Sequence, residues 1–218
     1  MKIIIDKGCS QLGIQVVAIL VKNPIISNKN SLLEKKKKEF IEKLTLFDVN
    51  NPILQGYKNI YLQLSKAGIP PAENLLQLVQ KNKRLPNINT FVDSYNLISL
   101  HSFLSIGAHD VAKIQGDLRF VITDGSEKYT PLGSSVLFPV SAGEYACRDS
   151  EKIICRMDVK QCDATKITKD SKEILIYIQG NKNTPPSYLQ QALRELCDLL
   201  QEICGGEYED VVIEYQSY

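Results

Sequence analysis

Histidine is scarce in this sequence, and no two cysteines are closely spaced. The 218 residues include two histidines and six cysteines, and the cysteines stand at positions 9, 147, 155, 162, 197 and 204. Structural zinc sites usually need pairs such as C-x-x-C together with further cysteines or histidines. We therefore expect neither a metal site nor a bound cofactor.

Long apolar segments are also missing. The longest run, Gly13–Val21, is interrupted by Gln15 and followed by Lys22, whereas a membrane-spanning helix needs about 20 apolar residues. At the start, three isoleucines come before Asp6, which is too short for the apolar part of a secretory signal. We expect a cytoplasmic protein with free thiols and no membrane partner.

Neither sign of charge is in excess. The chain has 26 Lys and Arg against 25 Asp and Glu, so its net charge is +1. With a hydrophobic fraction of 44%, this composition excludes intrinsic disorder, collagen and coiled coil as the class of the whole chain. The length predicts one domain over residues 1–218.

The near-neutral total hides an uneven distribution of charge. Residues 1–86 carry a net charge of +8, residues 87–184 carry −1 and residues 185–218 carry −6. This asymmetry indicates a polyanionic partner on one side, although solvated helix faces of different sign would produce the same pattern. The candidate phosphate-binding residues are Lys35, Lys36, Lys37, Lys38, Lys81, Lys83 and Arg84.

The N-terminal third is predicted to be mostly helical after two strands, Ile3–Ile5 and Ile14–Val21. A helix begins at Ser31 with Glu34 in a capping-box position, and its apolar stripe leaves the lysine run largely outward. That stripe comprises Leu33, Phe40, Ile41 and Leu44. The next helices are Asn51-Pro52 to Gly68, Pro71–Asn82, and a buried helix from the cap Asn89 to about Leu104.

From Asp117 onward the apolar period changes from that of helices to that of strands. Leu118–Thr123 and Glu127–Thr130 flank Asp124-Gly125, a hairpin signal. Further strands are predicted at Glu144–Arg148, Ile153–Met157, Ile174–Ile178 and Val211–Tyr215, with a helix at Tyr188–Cys204. Because strands and helices are segregated along the chain, the predicted class is α+β with a mixed or antiparallel β core and flanking helices.

Two polar residues stand on the otherwise apolar helix after Asn89. Asp93 and Asn96 are three apart and so share a face. Buried polar groups need partners, so this face either holds a hydrogen-bond network or lines a pocket.

Residues 85–133 carry a dense series of motifs: L-P-N-I-N-T-F-V-D-S-Y-N-L-I-S-L, then I-G-A-H-D-V-A-K-I-Q-G-D-L-R-F, then Y-T-P-L-G. This series closely resembles the free-standing members of the B-three/B-four tRNA-binding domain family. That domain is otherwise embedded in the β subunit of phenylalanyl-tRNA synthetase, where it is the editing domain. The resemblance continues through Cys155-Arg156 and Thr165-Lys166-Ile167-Thr168, and is looser over residues 1–70.

The resemblance implies an α+β domain that binds the aminoacylated 3′ end of a tRNA, and that would act in trans as an editing hydrolase. An aminoacyl ester is already activated, so hydrolysis needs a positioned water and donors aimed at the developing oxyanion. No nucleophilic side chain is required. This agrees with a sequence in which no G-x-S-x-G motif is readable.

Asn96 matches the asparagine of the synthetase motif V-T-N-Y, which implies a role in the pocket or else in an internal network. The synthetase's P-L-H-A-F-D reads here as residues 105–110, so Gly107 replaces the family's histidine and His109 stands two positions later. His109 is a candidate general base or a structural histidine, and Asp110 would orient it or cap the following turn. The family's specificity glutamate has no clear equivalent, although Tyr177 and Gln179 fall near its position.

Further candidate substrate contacts are Asp93, Gly107, Arg119, Gly133 and Arg156. Two alternatives remain to the editing hydrolase. One is a non-catalytic RNA-binding or tRNA-binding module that has lost the site, and the other is a pocket for a free amino acid or small aromatic molecule. An aminoacyl-tRNA synthetase is a possible further partner.

Overall fold

The computed structural model describes residues 1–43, 48 and 50–216, so Leu44 of the predicted helix stripe lies outside the described residues. Within these ranges the chain forms six α-helices: α1 Lys7–Gln11, α2 Ser31–Lys43, α3 Pro52–Gln63, α4 Pro71–Asn82, α5 Thr90–Ser102 and α6 Pro186–Cys204. No helix in the described ranges has the length and apolarity needed to cross a membrane.

Twelve strands in the same ranges form three sheets. The strands are β1 Lys2–Ile5, β2 Gln15–Lys22, β3 Ser105–Asp110, β4 Leu118–Ile122, β5 Lys128–Tyr129, β6 Phe138–Pro139, β7 Tyr145–Arg148, β8 Ile153–Arg156, β9 Lys160–Gln161, β10 Glu173–Gly180, β11 Glu207–Asp210 and β12 Val212–Tyr215. One sheet has the order β12-β1-β4-β7-β8-β9, the second has the order β11-β2-β10-β3, and β5 pairs with β6.

The sheets are mixed and antiparallel, as the sequence predicts. In the six-stranded sheet β1 runs parallel to both of its neighbours, β12 and β4, while the other pairs are antiparallel. In the four-stranded sheet every pair is antiparallel. Together with the six helices this arrangement confirms the α+β class.

The four-stranded sheet lies between helices and the other sheet. Helices α5 and α6 pack on one of its faces, and α4 packs on α5. On the other face the Tyr177 ring meets Phe120 of β4 edge to face, with ring centroids 5.4 Å apart. Side chains from both sheets and the helices form one apolar core, and burying them supplies the main driving force for this packing.

Three helix boundaries show how a few local residues determine where a helix begins or ends. Asn89 caps α5 as predicted, since its side-chain oxygen accepts from the backbone N–H of Val92 at 2.9 Å. The predicted cap Ser31 is wrong: Asn30 accepts from Leu32 and Leu33, and so α2 already includes Ser31. Helix α3 ends at Gln63 rather than near Gly68, because Ser65 adopts a left-handed conformation with φ 54°.

The strand predictions differ from the structure in one turn and in several strands that the sequence does not predict. The hairpin at Asp124-Gly125 is wrong, because β4 already pairs with β1 and β7 along its two edges, and β5 pairs with β6 instead. Strand β3, residues 105–110, is not predicted from the sequence, and neither are the shorter strands β6, β9 and β11. The residues of β3 include one β-branched side chain, Ile106, and the glycine Gly107, so they lack the composition that indicates a strand.

Lys37 is the main exception to the expectation that the lysine run faces outward. Its side chain is 4% exposed, and its ammonium lies 2.8 Å from Glu34 Oε1 and 3.1 Å from Asp93 Oδ2. It also donates to the side-chain oxygen of Asn87. The predicted role of Lys37 in phosphate binding is therefore wrong, because the ammonium is enclosed and compensated.

The ion pair with Lys37 gives the buried Asp93 carboxylate of α5 a partner. Asp93 Oδ1 accepts from the backbone N–H of Ile88 at 2.9 Å. Burial raises the pKa of Asp93, while the Ile88 N–H and Lys37 act in the opposite direction. The ion pair therefore joins α2 to α5, and the bond from Ile88 holds the segment before α5 to the same carboxylate.

Replacing Lys37 by Met should destabilise the fold strongly. The substitution leaves the buried Asp93 carboxylate without its cation, a change that typically costs about 3–5 kcal/mol. Urea denaturation monitored by circular dichroism would measure the loss. The matched control is Lys38→Met, because that side chain is 78% exposed and the change should stay within about 0.5 kcal/mol. Equal effects of the two substitutions would contradict a structural role for the buried pair.

Candidate functional site

A cleft of about 950 Å³ opens between helices α4 and α5 on one side and the β5–β6 and β8–β9 segments on the other. This volume lies in the range typical of small-molecule sites. Its walls are mainly apolar, with a few polar groups. The lining includes Leu75, Leu78, Ile88, Val92, Tyr95, Asn96, Ile106, Ala108, Tyr129, Leu132, Phe138, Arg156, Asp158, Lys160, Gln161, Lys166 and Ile167.

Helical and strand periodicity decides which side chains reach this cleft. On α4 the lining residues are Pro71, Asn74, Leu75 and Leu78, which are three or four apart and so share one face. On β3 they are Ile106 and Ala108, which are two apart. The residues between and after them, Gly107 and His109, consequently point to the opposite face of that strand.

Asn96 and Arg156 are the two predicted contacts whose side chains belong to the lining. Asn96 is partly exposed in the middle of α5. The Arg156 guanidinium donates to both carboxylate oxygens of Glu144, at 2.9 and 2.7 Å, and lies 5.3 Å from the centre of the Tyr129 ring. Its charge is thus compensated, and its planar group forms part of the wall.

His109 lies in the core instead of the cleft. Its Nδ1 is 2.8 Å from Thr165 Oγ1, and its Nε2 is 3.4 Å from the Tyr177 hydroxyl. Burial lowers the pKa of His109 to about 3, so the imidazole is neutral at physiological pH. In this position His109 holds the loop after β9 against β3.

Asp110 binds the same loop. Its Oδ2 accepts from the Ser171 hydroxyl at 2.8 Å, and its backbone N–H donates to the carbonyl of Thr165 at 3.0 Å. Its Oδ1 accepts from the N–H of Ala112 at 3.1 Å, which caps the short helical turn that follows. The geometry places Asp110 in this capping role, and Asp110 is not among the residues that line the cleft.

Asp163 connects two of the motif segments. It accepts from the backbone N–H of Gly133 at 2.9 Å and from the Lys166 ammonium at 2.9 Å. Gly133 has φ +78°, a conformation that side chains disfavour, and it follows the lining residue Leu132. Gly133 and Asp163 are 30 residues apart in sequence, and Asp163 also binds Lys166 of the T-K-I-T motif. The Y-T-P-L-G and T-K-I-T motifs therefore meet at one wall of the cleft.

The other predicted contacts lie outside the lining. Arg119, on β4, forms an ion pair with Asp6 at 2.9 Å. Gly107 packs against Tyr177, and a Cβ atom at this position would stand 2.5 Å from a ring carbon. Asp93 pairs with Lys37 near the start of α5. These three residues are therefore not part of the cleft lining to which Asn96 belongs.

Asp158 is a lining residue that the sequence analysis misses. It follows Met157 in the turn between β8 and β9, and both residues are left-handed, with φ 52° and 48°. Tyr61 donates to Asp158 Oδ1 at 2.6 Å, and Oδ2 is buried without a hydrogen-bond partner in the described part of the chain. Reading residues 153–157 as one strand conceals this turn, although Asp is among the residues that tolerate it.

The pKa of Asp158 is also shifted from its ordinary value. Burial raises the pKa of Asp158 to about 7, and the Tyr145 and Tyr61 hydroxyls oppose that shift. Consecutive left-handed residues and a perturbed carboxyl beside a cleft are features that cluster at functional sites. Within the described residues no group of three or more His, Cys, Asp or Glu side chains is arranged to hold a metal ion.

Comparison with known proteins bears on both the fold and the motifs. The model of the B3/4 domain family matches residues 65–205, more than half of the chain. No curated protein sequence matches. Among solved structures, an N-terminal fragment of the phenylalanyl-tRNA synthetase β-subunit from Pyrococcus horikoshii is similar, with a TM-score of 0.56 and 14% identity. The alignment covers 100% of this chain and 52% of that fragment, and at this identity it shows a shared fold.

The ionisation of Asp158 should make stability depend on pH in a definite direction. Its pKa is raised from the ordinary 3.8 to about 7, so the folded state holds the proton more tightly than the unfolded chain. The free energy of unfolding should then fall as pH rises from about 4 to about 7. Asp158→Asn removes this titration. The free energy of unfolding of the variant, taken relative to that of the wild type, should therefore rise by up to roughly 4 kcal/mol between pH 4 and pH 8.

Urea denaturation at several pH values would measure this effect, with Asp163→Asn as the control. The Gly133 N–H and Lys166 lower the pKa of Asp163, so its contribution is lost as pH falls and has the opposite sign. If the difference in unfolding free energy between wild type and Asp158→Asn did not change with pH, the raised pKa of Asp158 would be contradicted.

Proposed function

This chain belongs to the B3/4 domain family, and we propose that it binds the aminoacylated 3′ end of a tRNA and hydrolyses the ester of a mischarged amino acid. The observation that carries this proposal is the cleft between α4, α5 and the β8–β9 turn. The fold shared with a synthetase β-subunit fragment supports it, since that fragment is named for an enzyme of tRNA aminoacylation.

The cleft has the chemical character that an aminoacyl ester needs. Its apolar wall, with Leu78, Val92 and Ile106, suits an uncharged amino-acid side chain. Asn96 and Gln161 provide amide donors and acceptors for the ester and the terminal ribose. The volume of about 950 Å³ is sufficient for an aminoacyl group with part of its nucleoside.

Hydrolysis in this site would proceed without a covalent intermediate. A water molecule attacks the ester carbonyl, and amide donors stabilise the oxyanion that forms. The intermediate then collapses with cleavage of the bond between the carbonyl carbon and the ribose oxygen, which takes up the proton lost by the water and leaves as the ribose hydroxyl, so that the free amino acid is released. Asn96 is the proposed donor, because it is a polar side chain of a rigid helix that lines the cleft. His109 is buried and neutral outside the lining, so the proposal assigns it a positioning role through Thr165 and gives Asp110 a similar role.

One observation favours a second candidate, a tRNA-binding module without hydrolytic activity. His109, the candidate general base, makes its hydrogen bonds inside the core. Ester hydrolysis then depends on the positioned water and the amide donors alone. Under this candidate the cleft binds the aminoacyl end and leaves the ester intact.

Partners and location follow from the same proposal. The substrate would be a tRNA charged with an incorrect amino acid, and a synthetase that produces the error would be a natural associate. Aminoacylation takes place in the cytoplasm, which is the expected location. The six free thiols agree with a reducing compartment.

A panel of tRNAs, each charged with a non-cognate amino acid, tests the proposed activity. Purified protein should release at least one amino acid faster than its spontaneous hydrolysis. Asn96→Ala should lower that rate by at least about tenfold, equivalent to about 1.4 kcal/mol of activation free energy. The measurement is the loss of labelled aminoacyl-tRNA with time.

The matched control is Asn59→Ala, because Asn59 is an exposed asparagine of α3 that does not line the cleft. Its rate should equal that of the wild type. Tight binding of aminoacyl-tRNA with no release above the spontaneous rate for any amino acid would reject the hydrolase and leave the binding module. Absence of both binding and release would reject the proposed function.

A further inference from the structure

Two exposed lysines belong to elements on opposite walls of the cleft. On α4, Lys81 lies three residues after Leu78 and seven after Asn74, so it continues the face of the helix that lines the cleft. On the opposite wall Lys160 belongs to β9 and is itself a lining residue. Both are exposed, and neither forms an ion pair with another residue of the described ranges.

An exposed aromatic group lies at the same mouth. Phe138, on β6, lines the cleft and is 44% exposed. The two residues before it, Val136 and Leu137, are exposed as well, and so is Leu132 at the start of the same loop. Exposed apolar residues grouped around a polar-rimmed opening usually mark a contact surface.

The lysines of α2 are in a different electrostatic situation. Lys36 pairs with Glu202 at 3.0 Å, and Lys35 and Lys38 face Glu39 and Glu42 at 3.8 Å each. Lys37 is enclosed with Asp93. Each positive charge of this run therefore already has an acidic neighbour, which reduces the attraction that the run offers to a polyanion.

We propose that the mouth of the cleft is the nucleic-acid interface, with Lys81 and Lys160 on phosphates of a single-stranded 3′ end and Phe138 stacked on one of its bases. This inference rests on the proposed tRNA function and adds the surface that would bind the strand. A combination of lysines and an exposed aromatic ring is the usual device for holding single-stranded nucleic acid. It would direct the terminal nucleotide, and the ester attached to it, toward the apolar wall.

Charge-reversal variants test whether tRNA binds at the mouth of the cleft or on the lysines of α2. Fluorescence anisotropy with a labelled uncharged tRNA would measure affinity over a range of salt concentrations for the wild type and two double variants. Lys81→Glu/Lys160→Glu should weaken binding at least tenfold and lower the salt slope by about 1.4, as expected for two single-strand phosphates. Lys35→Glu/Lys38→Glu, which changes the same number of exposed lysines on α2, should stay within about threefold of wild type.

Phe138→Ala tests the stacking contact. It should weaken tRNA binding about tenfold, within the range for loss of one stacked base, with little change in the salt slope. Leu62→Ala is its control, because Leu62 is an exposed apolar residue of α3, 72% exposed, outside the cleft. Removing the single-stranded 3′ end from the tRNA should abolish the difference between Phe138→Ala and wild type.

The outcomes distinguish this inference from the proposed function. If the wild type binds tRNA and only the α2 variant loses affinity, the mouth interface is wrong while tRNA binding stands. If removal of the 3′ end leaves wild-type affinity unchanged, the interface is also wrong. If the wild type binds no tRNA at all, the proposed function fails, and the interface fails with it. Thermal unfolding of each variant checks that the fold is retained.

Discussion

The alternation of side chains along β3 determines how the rest of the site is arranged. This strand lies beside β10, and one of its faces borders the cleft while the other packs against Tyr177 in the core. Ile106 and Ala108 occupy the first face, and Gly107 and His109 occupy the second. Shifting the pairing of β3 with β10 by one residue would turn Gly107 and His109 toward the cleft and Ile106 and Ala108 toward the core. The motif I-G-A-H-D therefore contributes an apolar wall to the cleft and hydrogen-bonding groups to the core.

Two polar residues of β3 act on the cleft through the loop after β9. His109 and Asp110 bind Thr165 and Ser171 in that loop, and the loop brings Lys166 and Ile167 to the lining. Asp163 then ties the loop to Gly133 on the neighbouring segment. Residues that look catalytic in the sequence thus provide a scaffold, in the way that supporting hydrogen bonds preorganise a binding site.

The sequence predicts the elements whose signals are local. Helix α4 has the predicted bounds, and Asn89 caps α5, because both depend on a few adjacent residues. Strand β3 escapes prediction because residues 105–110 carry no local strand pattern, and only their pairing with β10 makes them a strand. The site shows the same division. Asn96 and Arg156 are candidates that a motif can suggest, and both line the cleft, whereas Asp158 acquires its properties only by burial beside Tyr61. Lys37 could have been recognised, because it lies four residues after Leu33 on the apolar stripe of α2.

Gly107 and Tyr177 occupy one shared volume in the core. A methyl group at position 107 would overlap the tyrosine ring, and the same ring also stacks on His109, with centroids 5.8 Å apart. Because interiors are close-packed, a side chain can appear at position 107 only where position 177 gives up volume. In homologous chains the two positions should therefore vary together. A histidine at 107, as in the synthetase motif, should be accompanied by a smaller residue than tyrosine at 177.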